Sequence, residues 1–188
     1  VDIEIVQNWL QCCEKWHGTV CNLGNFRPLE AVETIRVIDV KRGCLVHIPS
    51  SSRYFALSYV WGTAKTLQTV EANVRKLEQE GAFSSCSNEL PNTVRNVIKF
   101  VSQIGERHLW IDALCIVQDN PLEKMDLINQ MDKIYQNAFL TIVAAAGRDA
   151  NAGLPGVDEN YPRKIPQRVL QYSKGRRLAI SQAPFEKL

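Results

Sequence analysis

The chain has 188 residues, enough for one α/β domain with further elements at its ends. Hydrophobic residues make up 45% and charged ones 22%, the composition of a packed core, and a formal net charge of +2 excludes the basic footprint of a nucleic-acid or anionic-membrane binder. No apolar run reaches the length of a membrane span, and Val1–Ile5 carries two acids and no basic start of a signal peptide. The first residue is not Met and Pro184–Leu188 does not read as a natural stop, so the expectation is a piece of a longer protein. The six cysteines are Cys12, Cys13, Cys21, Cys44, Cys86 and Cys115. With nothing pointing to secretion, they indicate a reducing, cytoplasmic compartment.

Ile5, Val6, Trp9, Leu10 and Cys13 recur at helical spacing, and Gly18 lies just past the helix they predict. Thr34–Val40 and Cys44–Ile48 read as a hairpin around Lys41-Arg42-Gly43, with Gly43 free to take positive φ. Tyr54–Trp61 is rich in aromatic and β-branched residues, apolar on both faces and closed by Gly62, as in the middle of a covered sheet. Leu67, Val70, Val74 and Leu77 predict a helix ending before Gly81. Val94, Val97, Ile98 and Val101 predict another, opened by Pro91 and ended by Gly105. Leu109–Val117 reads as the second core strand. Asn120-Pro121-Leu122-Glu123 carries the cap, the first-turn Pro and the capping-box Glu of a third helix, burying Leu127 or Ile128, then Met131, Ile134, Tyr135 and Ala138.

Phe139–Ala146 predicts a third strand ended by Gly147. Arg148–Pro166 reads as a long loop and Arg177–Ser181 as a late strand. This alternation predicts an α/β fold. Its parallel sheet would have right-handed crossovers, strand centres near Leu57, Ile111 and Ile142, and helices on both faces. The expected division is an N-terminal helix and hairpin over 1–52, a core domain over 53–157, and a C-terminal loop leading into a following region over 158–188.

Four blocks carry a family resemblance: Tyr54–Gly62 (YFALSYVWG), Leu90–Val94 (LPNTV), Leu109–Asp119 (LWIDALCIVQD) and Met131–Ala145 (MDKIYQNAFLTIVAA). In order and spacing they resemble the fungal heterokaryon-incompatibility (HET) domain, over about Tyr54 to Gly156. The resemblance implies an effector of self/non-self programmed cell death, an innate-immunity-like role, usually joined to other domains. One departure is visible. Where many members place a Trp and a Glu in the helix after the second strand, this chain has Lys124 and Leu127, so no role of that Glu transfers. The order of elements is also similar to that of TIR domains, which have a flavodoxin-like parallel sheet; several cleave NAD and others only assemble. That likeness implies NAD as a possible substrate with no bound cofactor, self-association, and an upstream sensor protein as partner.

No P-loop, nucleophile elbow, dinucleotide fingerprint or zinc-protease motif is present. Position must therefore nominate the site, and in an open parallel sheet ligands bind beyond the carboxyl ends of the strands. The first such end offers Ser58, Tyr59, Trp61 and Gly62, the second Cys115, Gln118 and Asp119, and the third Arg148 and Asp149. Cleavage of a nicotinamide N-glycosidic bond would suit them. A carboxylate steadies an oxocarbenium-like centre, an aromatic ring stacks on a base, and Arg148 holds a pyrophosphate. Asp119, Asp149 and Glu159 are the candidate catalytic acids, the last two by analogy with a TIR glutamate after the third strand.

Against this, Asp119 as a helix start and Arg148 and Asp149 as loop solvation are ordinary readings. Asp112 sits mid-strand in this reading. It is either an acid near the pocket or, as placement favours, a buried carboxylate bonded to a helix N-terminus or to an Arg such as Arg95. Cys115, in apolar surroundings, is a poor nucleophile. Cys12, Cys13, His17 and Cys21 form the one metal-like cluster, but the paired spacing of zinc sites is missing and no metal is assigned.

Overall fold

In the computed structural model, which describes residues 1–17, 33–63, 66–145, 147–158, 162, 168–174 and 176–180, five strands share one sheet. They are β1 (Thr34–Asp39), β2 (Cys44–Pro49), β3 (Phe55–Ser58), β4 (His108–Trp110) and β5 (Leu140–Val143), in the order β2-β1-β4-β3-β5. The three expected core strands are parallel, with β3 paired to β4 on one side and to β5 on the other. Phe55, Ala56 and Leu57 point alternately to opposite faces and none is exposed, so both faces of β3 are covered.

The sheet is mixed, not purely parallel as expected. The hairpin β1–β2 joins it directly, because β1 also runs antiparallel to β4 through Ile38 opposite Leu109 and Asp39 opposite His108. The hairpin's buried residues, Ile35, Val37 and Ile48 on one face and Ile38 and Leu45 on the other, belong to the same core as β3. An edge that would expose apolar side chains is thereby sealed by the segment expected as an extension ahead of the core.

Seven helices surround the sheet among the described residues: α1 (Ile3–Trp16), α2 (Val74–Leu77), α3 (Ala82–Ser85), α4 (Asn92–Gln103), α5 (Asp112–Cys115), α6 (Pro121–Ile128) and α7 (Met131–Asn137). The helix α4 stands where the spacing puts it, beginning one residue after Pro91; Val94, Val97, Phe100 and Val101 are buried, while Ile98 of the expected stripe is only partly so. Asn120 caps α6 by accepting from the Glu123 amide at 3.1 Å.

Three elements differ from expectation. The helix expected from Leu67 is only the single turn α2. The backbone before it is tied elsewhere, Leu67 N–H to Glu89 at 3.1 Å and Thr69 N–H to Ala113 at 3.1 Å. The helix expected from Asn120 to Ala138 breaks at Asn129-Gln130 into α6 and α7. The second core strand ends at Trp110 instead of Val117, with consequences given below. Beyond the sheet, the late strand is β7 (Arg176–Ile180), paired antiparallel with an unforeseen β6 (Arg168–Ser173). Gly18 lies outside the described residues.

Helix α1 buries none of its residues fully; Ile3, Val6 and Leu10 lean on the core partly buried. Polar contacts add to this docking. Gln7 Nε2 donates to Ile104 O at 3.1 Å. The Arg53 guanidinium bridges Glu14 and Glu106 and lies 3.4 Å over the Phe139 ring.

Asp39 organises the hairpin turn. Its carboxylate accepts from the Lys41 and Arg42 amides at 3.0 and 3.1 Å and from Arg107 Nε at 2.8 Å, though its residue is almost fully buried. Burial alone would raise its pKa; the Arg107 bond, the two turn amides and the Arg107 charge outweigh that and hold it below the usual carboxylate value. A lowered pKa means stability that is present above the unfolded value and lost as pH falls through the folded one. In denaturant melts, the stability advantage of the wild type over Asp39→Asn is therefore expected to be full at pH 6 and to shrink steadily below about pH 4.

Candidate functional site

Chain connectivity defines where a site should lie. From central β3 the chain crosses to β4 on one side, and from β4 to β5 on the other, so the strand order switches at β3. The segment Tyr59-Val60-Trp61-Gly62 leaves β3 at this point. It is held by the strand-end loop after β5: Ala144 N–H donates to Ser58 O at 2.9 Å, and Ala150 N–H to Trp61 O at 3.2 Å.

The early end of β4 supplies the other half. Ile111 is still extended, but Asp112-Ala113-Leu114-Cys115 turns into α5, a single turn in which Ala and Leu are good helix formers. Ile111 O accepts from Leu114 and Cys115 amides at 3.0 and 2.7 Å, and Ile111 N–H goes to Cys115 Sγ at 3.3 Å. The backbone groups that a longer strand would spend on its ladder are thus closed within one turn. Asp112 consequently sits at the carboxyl end of β4, not in mid-strand.

Trp61 and Asp112 meet there. The indole Nε1–H donates to both Asp112 oxygens, at 3.1 and 3.0 Å, and the Ala113 amide donates to Oδ1 at 2.7 Å. The expected bond to a helix N-terminus is therefore present, as the Ala113 contact at the start of α5. Arg95 is not a partner: its guanidinium binds Ser87 O and Asn92. Burial raises the Asp112 pKa, with the Ala113 and Trp61 bonds pulling the other way.

Two tyrosines surround this carboxylate. Tyr59 is raised by burial first, then by the charges of Asp112, Tyr135 and Cys115. Tyr135, which donates to Leu57 O at 3.2 Å and packs edge-on against Trp110 with centroids 5.4 Å apart, is pushed up to about 12 by burial and then by Asp112 and Cys115. Both phenols are neutral at physiological pH. Cys115 is pushed up to about 12 by complete burial and is a thiol there, which fits a structural role.

Thr69 and Gln118 clamp the turn. Thr69 Oγ1 donates to Leu114 O at 2.6 Å and its carbonyl accepts from the Gln118 amide at 2.8 Å. Gln118 Nε2 donates to Asp112 O and Ile116 O at 3.0 and 3.2 Å. Gln118 thus fixes the backbone that carries the Asp112 carboxylate.

The remaining nominated residues divide. Asp149 is brought to the site: a Cβ on Gly62 (φ +64°) would collide with Asp149 Cβ, so only a glycine allows this approach. Its Oδ1 accepts from the Asn151 amide at 2.8 Å, shaping the loop. Arg148 beside it is exposed. Asp119 accepts from the Glu71 amide at 2.8 Å on the far side of the Thr69 clamp and is a loop cap. Ser58 ends β3, half-buried. Glu159 and Cys21 lie outside the described residues. Among those described, no group of three His, Cys, Asp or Glu side chains is placed to hold a metal ion, and no helix is long and apolar enough to cross a membrane.

Sequence reasoning missed Thr69 and Tyr135. Thr69 falls inside the helix that the spacing of Leu67 to Leu77 predicts, and only its hydroxyl among apolar neighbours hints at a buried partner. Tyr135 falls on the apolar stripe of its helix, and only its hydroxyl signals a bond to be made in the core.

A parallel centre with a strand-order switch, and a carboxylate, an indole and two phenols at the strand ends, define an α/β domain of the switch-point kind. The profile described as heterokaryon incompatibility protein (HET) matches residues 54–184, well over half of the chain, and the chain belongs to this family. Heterokaryon incompatibility protein 6, OR allele, of Neurospora crassa is 33% identical over 107 residues, which cover 53% of this chain and 15% of that protein. The chain thus spans a small part of that relative's length. No solved structure matches it.

The raised Asp112 pKa gives stability that is present below the unfolded carboxyl value and lost as pH rises through the folded one; the Trp61 donor opposes that loss. Trp61→Phe is expected to cost about 1–3 kcal/mol at neutral pH and less at about pH 4, because the lost bond serves the ionised carboxylate. Denaturant melts at the two pH values check this, and the pH-dependent part should vanish in an Asp112→Asn background.

Proposed function

We propose that this domain is the effector module of a fungal incompatibility protein, that it triggers programmed cell death in self/non-self recognition, and that it does so in the cytoplasm by TIR-like cleavage of NAD. Family membership supports the first part. The observation that carries the last part is the Trp61–Asp112 pair at the carboxyl ends of adjacent parallel strands.

In that reaction the bond between ribose C1′ and nicotinamide nitrogen breaks, nicotinamide leaves with the bonding electrons, and water adds at C1′ with release of a proton. The positive charge that develops on the ribose needs a fixed negative group. Asp112 is the carboxylate best placed for this. Asp119 and Asp149 accept the Glu71 and Asn151 amides in their loops; Asp112 accepts the Ala113 amide too, but it also holds the Trp61 indole beside the strand-order switch. Tyr59 and Trp61 offer ring surface for the base, and Arg148, exposed beside the Gly62 approach, offers charge for the pyrophosphate.

A second reading is a non-enzymatic scaffold that self-associates under an upstream sensor. It is favoured by the open edge of the sheet: β5 pairs with β3 alone among the named strands, and Val143 on it is 65% exposed.

Purified protein at high concentration, incubated with NAD, is expected to release nicotinamide, and Asp112→Asn to slow that release by roughly 10²–10³-fold with the fold intact. Cell death that persists in Asp112→Asn while cellular NAD stays flat would replace the enzyme with the scaffold.

A further inference from the structure

Helix α1 carries two apolar stripes. Ile3, Val6 and Leu10 face the domain. Ile5, Trp9, Cys12 and Trp16, spaced four, three and four residues apart, fall within about 60° of one another on the helix surface, roughly 130° from the first stripe. They face solvent: Ile5 is 37% exposed, Trp9 66% and Trp16 71%, and Cys12 is exposed as well. A docked helix has no packing reason to spend two tryptophans on its outer face, and such a contiguous stripe marks an interaction surface.

We infer that this stripe is a homotypic contact, in which α1 of one copy packs antiparallel on α1 of a second. The inference deepens the self-association reading and rests on it, without needing the nucleotide chemistry. Two observations select the occupant. The helix carries Asp2, Glu4 and Glu14 against Lys15, which opposes an anionic membrane surface. Glu4 and Lys15 lie on the same flank of the stripe near its opposite ends, so antiparallel packing about the Trp9–Cys12 midpoint brings Glu4 of each copy towards Lys15 of the other. Parallel packing puts the two copies of this flank on opposite sides of the seam and forms no such pair.

The area sets the strength. Two partly exposed tryptophans per copy contribute on the order of 300 Å² of ring surface, so a pair of helices buries on the order of 600 Å² through them. That is below the roughly 1,200 Å² at which stable interfaces begin. The contact is therefore weak, with a dissociation constant of roughly 10–100 µM or above. It forms when copies are already concentrated, as a sensor or a neighbouring domain would arrange.

Analytical ultracentrifugation of the chain over a range of concentrations is expected to show a monomer–dimer equilibrium. Trp9→Glu with Trp16→Glu should abolish it while circular dichroism and melting temperature stay near wild type, since neither ring belongs to the core. Glu4→Lys alone should weaken the dimer at least threefold, and Glu4→Lys with Lys15→Glu should restore it. A dimer that survives the double tryptophan change overturns the inference while leaving self-association through another surface intact. A wild type that stays monomeric throughout overturns both. If its tryptophans are then shielded from a soluble quencher, another part of the same chain covers the stripe.

Discussion

An indole N–H spanning the gap between two strand ends is the interaction on which the site depends. Trp61 leaves β3 and Asp112 begins the turn after β4; without their bond the two adjacent strands would carry independent loops. The carboxylate holds its place because β4 stops early, and β4 stops early because the Cys115 thiol and carbonyl–amide bonds within α5 satisfy Ile111. Thr69 and Gln118 then fix the turn from outside. A half-buried acid is costly unless every neighbour is arranged for it. Here the arrangement reaches from residue 61 to residue 118.

The same sheet shows how edges are managed. On one side the chain folds its hairpin back as two antiparallel strands, pinned by Asp39 to Arg107, and the edge it presents is β2. On the other side β5 ends the sheet. The parallel centre needs cover on both faces and receives it. The asymmetry of the two edges is a direct result of adding antiparallel strands to one side only.

Much of this was legible in the residues. Doubly apolar runs located β3 and β5, and Asn120-Pro121 located the start of α6, because burial and capping are local properties. The position of Asp112 was not legible. Leu109–Val117 is apolar enough for a strand, and nothing in periodicity distinguishes a buried strand from a buried turn of helix. What decides the matter is a long-range fact: the Thr69 backbone lies alongside Ala113 and Gln118, so that stretch pairs with a loop instead of a strand. The same contact unwinds the helix expected from Leu67. The family blocks fared better than periodicity here, since both Trp61 and Asp112 fall inside the quoted motifs, and the profile match continues to residue 184, past the last quoted block.

Arg53 carries a consequence of its own. It lies two residues before Phe55, where β3 begins, and its single guanidinium is shared by Glu14 of α1, by Glu106 and by the face of Phe139. The sheet is held by burial throughout, whereas α1, with no fully buried residue, adds the Arg53 ion pairs to the partial burial of Ile3, Val6 and Leu10. The two parts therefore differ in their response to salt. Counter-ions that screen a partly exposed guanidinium weaken the grip on the helix and leave apolar burial almost untouched. Raised ionic strength thus loosens α1 slightly while the sheet keeps its packing.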